Sequence, residues 1–438
     1  MFNDTVELVN APTDRPEGPR MTSAIPTPVI SADSDDHQTI GEAIAAEIAH
    51  LPHRPRLLGF GEPMHGEDEF PRLRNAVFAA LVEQAGFTSI ALETSAWHGR
   101  AVDAYIRGGD GVEDDIMAAG FTHGFGEFPA NRMLIRWMRE QNRHRPKAAH
   151  LRFAGFDAPT EMTEAPSPRT ALQVLHTFLR AHAGSGLDLP PWDTIDLLLG
   201  PDEPWIEPAA AMEPARSIGS DPRVHDLRAI TDDLRWALTG ETPRLRHETS
   251  PDDLEDALLA GRAAAGLLAY HEAMARDTDH RWQRLAAIRD TMMAENLQAI
   301  AERGPTLVSA HNEHLRAGTS SMSFGPMTLR WQTAGAHLAD RLGNDYRVIA
   351  CALGEATHHE IPEPASDTIE GALHHGLPPG NHLLSAPALQ PLQQLGTTRS
   401  SPNFRYIPID DTFLGQIDQV LFLRTITPST TAPVGKAI

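Results

Sequence analysis

Cysteine is nearly absent: the 438 residues contain one, Cys351, which excludes a disulfide scaffold and any zinc site built on several thiolates. Lysine is almost as rare. Only Lys147 and Lys436 stand among 37 basic side chains, a bias that, with abundant Ala, Pro and Arg, points to a GC-rich bacterial coding sequence and says nothing about chemistry. No run approaches 18 consecutive apolar residues, and the opening MFNDTVELVN lacks a basic segment followed by an apolar one. Neither a spanning helix nor a secretory signal is readable, so the expected location is cytoplasmic. Positive charge is in deficit, with 37 basic against 59 acidic residues and a net charge of −22. A field of that sign repels phosphate backbones and anionic headgroups, which makes nucleic acid and membranes poor partners.

Several motifs are missing as well. Without a G-x-S-x-G elbow, a serine hydrolase of the common α/β type has no visible nucleophile, and Cys351 sits inside an apolar run that reads as core. There is no G-x-x-x-x-G-K-[ST] loop and no intact G-x-G-x-x-G after a strand, so kinase, ATPase and dinucleotide readings fall away.

What is present is ordinary in bulk, with 41% hydrophobic and 22% charged residues. That mix describes a globular chain, and the length suits roughly three domains of about 150 residues or one large α/β domain with an inserted layer. Residues 1–36 are rich in Pro, Thr, Asp and Ser without period and read as a disordered or loosely packed leader. From 37 to 157 short β-rich runs alternate with amphipathic helices, the signature of a mostly parallel central sheet flanked by helices. Expected strands are 56–60, 88–92, 151–155, 306–310, 346–352 and 418–423. Between 158 and 280 strand signals stop and the pattern is helical, which predicts an insertion or lid covering the C-terminal edge of the strands. Residues 281–425 complete the α/β domain, and 426–438 read as a flexible tail.

In open α/β sheets ligands bind beyond the carboxyl ends of the strands, so the residues that follow each run matter most. After the first comes GEPMHGEDE with Glu62 and His65, after the second Glu93, after the third Asp157, and after the fourth His311 and His314 in HNEH. One such group would be unremarkable on an exposed loop, but several brought to one edge of a parallel sheet indicate a site. Two helices add arginines. Arg74 lies beside the apolar face of the helix after His65, and the stripe Trp282, Leu285, Arg289, Met292, Asn296, Ile300 puts Arg289 where the helix should face the interior. A buried guanidinium needs a carboxylate, and the strand-end acids are candidates.

These residue types suit direct attack of water on an ester or lactone: an imidazole takes the proton, a carboxylate holds its tautomer, and arginines stabilise an oxyanion. Activity should then rise with pH through a group near about 6 to 7. The same His and carboxylate groups are also a competent zinc or manganese set, although neither HEXXH nor another dedicated metal spacing occurs.

The stretch GEPMHGEDEFPRLRNAVFAALVEQAGFTSIALET resembles the N-terminal signature of the erythromycin esterase family, and VDAYIRGGDG, GEFPANRMLIRWMREQN, RFAGFDA, RDTMMAEN and AHNEH resemble its later blocks in the same order. Enzymes of that family hydrolyse macrolide lactones without a covalent serine. The resemblance implies that His65 is the water-activating base, that Glu62 and Glu93 hold base and water, that Arg74 and Arg289 are active-site arginines, and that His311 belongs to an H-N-x-H pair with His314. Glu127, Asp157, Asn312 and His314 are then expected to bind substrate. No cofactor or metal is expected, and the expected partner is a small-molecule ester or lactone, of a macrolide or another natural product. Met64 before His65 departs from the small or hydroxylated residue usual there, and 158–280 carries no matched motif. Three alternatives stand: a biosynthetic tailoring enzyme using the same base for acyl transfer, cyclisation or proton abstraction; a metal-dependent hydrolase with His65, His311 and carboxylates as ligands; and a non-catalytic protein that binds a small cation in an acidic cleft.

Overall fold

Alternating side chains within each strand build two hydrophobic cores at once, one on each face of a central sheet. Leu58, Phe60, Ile90, Leu92, Ile349 and Cys351 enter the first, while Leu57, Ala91, Val348, Ala350 and Ala352 enter the second. The structure, a computed structural model, describes residues 29–32, 36–161, 163–182, 184, 187–324 and 327–428. Its strands are β1 (Ile30–Ala32), β2 (Leu57–Glu62), β3 (Ser89–Ser95), β4 (Arg152–Asp157), β5 (Thr306–His311), β6 (Thr319–Phe324), β7 (Met327–Gln332), β8 (Tyr346–Glu355), β9 (Asn381–Ser385) and β10 (Gln419–Thr425). Eight of them form one sheet in the order β1-β9-β10-β8-β2-β5-β3-β4, in which β10 through β4 are parallel. β9 is antiparallel to β10, and β6 and β7 make a separate hairpin.

The six parallel strands are the six that the sequence predicts. β1, β6, β7 and β9 are not, because they are short or polar and lack the apolar run that betrays a buried strand. β1 lies within the expected leader 1–36, where Ile30–Ala32 pairs antiparallel with β9; residues 1–28 and 33–35 lie outside the described residues. The expected tail also starts too early: Ile426 is buried and its N–H donates to the Glu355 carbonyl, while 429–438 lie outside the described residues.

Helices His37–His50, Glu69–Gln84, Gly99–Ile106 and Pro129–Arg143 cover the first face, and Arg281–Ala301, Ala334–Leu342 and Ile369–Gly376 the second. Helices Arg169–His182, Trp192–Leu199, Pro222–Glu248 and Pro251–Met274 share a core of their own. This helical stretch stands beside edge strand β4 and spans the height of the sheet. At the amino end Asp252 meets Arg152 and Glu255 meets Arg303; at the carboxyl end the Tyr270 hydroxyl donates to the Glu161 carbonyl. The part of this stretch nearest the carboxyl edge is its 158–168 segment and the last turn of Pro251–Met274, with Ala210, Ala211 and Ser217 packed on that turn. Among the described residues no helix is long and apolar enough to cross a membrane.

Candidate active site

β2 and β5 are adjacent and in register, so Glu62 and His311 end side by side at the carboxyl edge. That approach is tight: any side chain on Gly61 would collide with Asn312. After Glu62 the chain turns sharply through Gly66, whose φ of +96° is in the left-handed region, and this turn brings His65 back over the edge. Next to β5 the pairing of β3 with β4 shifts register between Leu92 and Ser95, and the irregularity contains Glu93.

Glu93 is the hub. It is buried, and Oε2 accepts the backbone N–H of His311 at 2.8 Å. Its Oε1 takes Nη2 of Arg289 at 3.2 Å and lies 3.4 Å from His314 Nε2 and 3.6 Å from His65 Nε2. Burial alone would raise the Glu93 pKa, but the surrounding His314, His65 and Arg289 hold it well below the usual carboxylate range. Arg289 is also bidentate to Asp157, with Nε to Oδ1 at 2.9 Å and Nη2 to Oδ2 at 2.7 Å, as a guanidinium at the interior-facing position of its helix requires.

His65 Nδ1 lies 2.7 Å from Glu62 Oε1, which leaves Nε2 toward Glu93, and the His65 ring meets His311 edge to face with centroids 5.3 Å apart. Burial opposes charge on His65, yet Glu93 and Glu62 outweigh it and raise the imidazolium to about 10, above the 6 to 7 expected for an ordinary imidazole. His311 goes the other way. Burial and the neighbouring His65 push it down to about 3, and its neutral Nδ1 accepts the Glu313 N–H at 3.2 Å. His314 sits between Asp290 (Nδ1 to Oδ1, 3.0 Å) and Glu93; burial disfavours its charge, but the two acids raise its pKa overall.

Arg74 is buried, and its hydrogen bonds go to amides: Nη2 donates to Oδ1 of Asn75 at 2.7 Å and of Asn131 at 2.8 Å. Burial lowers its pKa to about 10 against the pull of Glu62 and Asp68. Arg74, Glu62, Glu67, Glu93 and Phe125 line one small cleft.

Two predicted residues are elsewhere. Glu127 is exposed on a three-residue turn, and Asn312 points back under the sheet, donating from Nδ2 to the Cys351 carbonyl at 2.9 Å. His123 and Asp290 were not predicted. His123 bridges Asp157 (2.8 Å) and Glu161 (2.9 Å), and those acids raise its pKa to about 9 against burial. Its φ of +56° is a strained conformation for a side-chain-bearing residue, of the kind that concentrates at functional sites. Asp290 accepts from Trp331 Nε1 at 2.6 Å while holding His314. It follows Arg289 directly, off the apolar stripe, so helix periodicity passes over it.

The His65 and His311 metal reading gains nothing from this geometry. Among the described residues, the three ligand-type side chains whose donor atoms all lie within 4.8 Å of one another are Glu67, His358 and His359.

A family model described as erythromycin esterase matches residues 82–425, most of the chain. The chain belongs to the erythromycin esterase family. The match begins after the turn carrying Glu62 and His65. Solved structures with a similar fold include a protein from Bacillus cereus (16% identity, TM-score 0.63, 90% of this chain and 98% of that one). The erythromycin esterase EreC, in the open conformation of a mutant, is similar at 18% identity with a TM-score of 0.60 over 87% and 93% of the two chains. A succinoglycan biosynthesis protein is similar at 18% identity with a TM-score of 0.56 over 85% and 88%. At these identities the neighbours speak for the fold. Family membership supports an esterase-like hydrolase acting on ester or lactone bonds.

Proposed function

We propose that this erythromycin esterase relative hydrolyses an ester or lactone of a macrolide or other natural product by direct attack of water, with His65 as base and neither a covalent serine nor a metal in the chemical step. The observation that carries the reading is His65 held between Glu62, 2.7 Å from Nδ1, and Glu93, 3.6 Å from Nε2, two carboxylates that line one cleft. Glu62 fixes the tautomer, so the neutral ring presents a basic Nε2 to a water that Glu93 can also orient. The water oxygen bonds to the carbonyl carbon as its proton passes to Nε2. The tetrahedral oxyanion then collapses, the C–O bond breaks, and the imidazolium returns its proton to the leaving alkoxide. Arg74, bound to amides rather than carboxylates, is the cation suited to the oxyanion; Arg289, locked on Asp157 and Glu93, holds the hub in place.

The test is a mass-spectrometric screen of macrolides, other lactones and simple esters for a gain of one water, run in parallel with His65→Asn. Turnover by the native protein that the variant loses supports the reading; equal turnover by both refutes it.

A further inference from the structure

A second group of imidazoles stands at the same sheet edge, outside the machinery just described. β8 ends in the turn Thr357–Glu360, closed by the Ala356 and Ile361 backbone groups, which donate to each other's carbonyls at 2.9 and 3.1 Å. The turn is further tied down by Asn403 Nδ2, which donates to the His359 carbonyl at 2.9 Å. It presents His358 and His359 with ring centroids 4.3 Å apart. Both Nε2 atoms converge on one oxygen, Oε2 of Glu67, at 2.8 and 2.9 Å. Glu67 arrives from the loop after β2, the strand beside β8. Its other oxygen accepts the Glu69 N–H at 2.9 Å, which fixes the carboxylate with a single oxygen turned to the imidazoles.

We propose that Glu67, His358 and His359 form a transition-metal site of the zinc class. Two imidazole nitrogens and one carboxylate oxygen are a three-protein-ligand set that leaves a fourth tetrahedral position open. Bonds of about 2.0 to 2.1 Å to a tetrahedral ion separate its ligand atoms by about 3.3 Å. The present 2.8 and 2.9 Å therefore need to open by only about half an ångström, a change that small ring rotations supply. Access is built in, because Glu67 is 6% exposed while His358 and His359 keep 22% and 24% of their side chains open. Glu67 is two residues from His65 and lines the same cleft as Glu62 and Arg74. An ion here would pin the turn that carries His65 to the loop after β8, and its open position would face the rim. The site is independent of the proposed hydrolysis, in which His65 works without it, and its test reads binding rather than turnover.

Full-length protein freed of metal with a chelator is titrated with Zn²⁺ by calorimetry and with Co²⁺ by visible absorption. One equivalent with tetrahedral Co²⁺ bands, and a melting temperature raised by Zn²⁺, are expected. His358→Asn/His359→Asn should lose about 100-fold or more in affinity along with the Zn²⁺-dependent rise in melting temperature, while His65→Asn keeps both. Glu67→Gln, which preserves size, should weaken binding without loss of the cooperative melt. No binding of either ion by the native protein overturns the proposal, as does binding that survives the double histidine variant but is lost in His65→Asn.

Discussion

Glu93 and Glu67 sit at the carboxyl edge of one sheet and both gather histidines, yet they are dressed differently. Glu93 shares its oxygens among a guanidinium, a backbone amide and two imidazoles, so its charge is met by fixed cations and its lone pairs are largely committed. Glu67 is engaged by two imidazoles and one amide, each imidazole able to lose its proton to a metal. The contrast is between a hub built to set the proton affinity of a neighbour and a hub whose side-chain partners are both exchangeable ligands. Residue type alone, Glu with two His, does not separate the two; the guanidinium does.

Removing that guanidinium should produce the largest effect. Arg289→Met leaves Asp157 and Glu93 buried without their common partner, and breaking a buried pair costs about 3 to 5 kcal/mol. Denaturant unfolding at pH 7 checks this, and a loss below about 1 kcal/mol would show that the cluster does not depend on the arginine.

Next comes the pH dependence. His65 is raised to about 10 by Glu93 and Glu62, and the base works when neutral, so activity should climb with pH past 7 rather than level off near 6 to 7. Glu93→Gln removes the larger of the two raising charges, so whatever turnover remains should have its rising limb displaced to lower pH. An unchanged limb would detach Glu93 from His65. The same shift links pH to stability. The folded state binds the His65 proton more tightly than the unfolded chain, so its contribution is complete below about 6.5 and is lost as pH rises through about 10.

The smallest effect is expected at the second hub. In chelator-treated protein Glu67→Gln should cost about 1 kcal/mol, the worth of exchanged hydrogen bonds at a partly open site. A loss as large as that of Arg289→Met would mean that Glu67 is a structural keystone and would erase the contrast.

How much of this was legible in the sequence follows from side-chain direction. The six parallel strands declare themselves by apolar runs buried on both faces, and their ends give Glu62, Glu93, Asp157 and His311. Asn312, in the AHNEH block, is expected from the resemblance to bind substrate. Neighbouring residues at a strand end point opposite ways, so the His311 ring faces His65 and Asn312 faces β8. Glu127 lies in a matched block but on a short turn that faces solvent, and a motif does not say which way a turn points. His123 escaped because a left-handed backbone at a non-glycine residue has no local signature. His358 and His359 escaped because their partner is about 290 residues away on a neighbouring strand's loop.

The central claim is that His65, held by Glu62 and Glu93, is the base. The direct measurement is His65→Asn on whichever lactone or ester the native protein hydrolyses, with kcat, KM and the thermal melt recorded together. Asn keeps the approximate size and a hydrogen bond and removes the basic nitrogen. The account predicts a fall in kcat of about 10² to 10⁴ with KM and melting temperature nearly unchanged. Near-normal kcat, or a loss of turnover that merely follows a lower melting temperature, would contradict it.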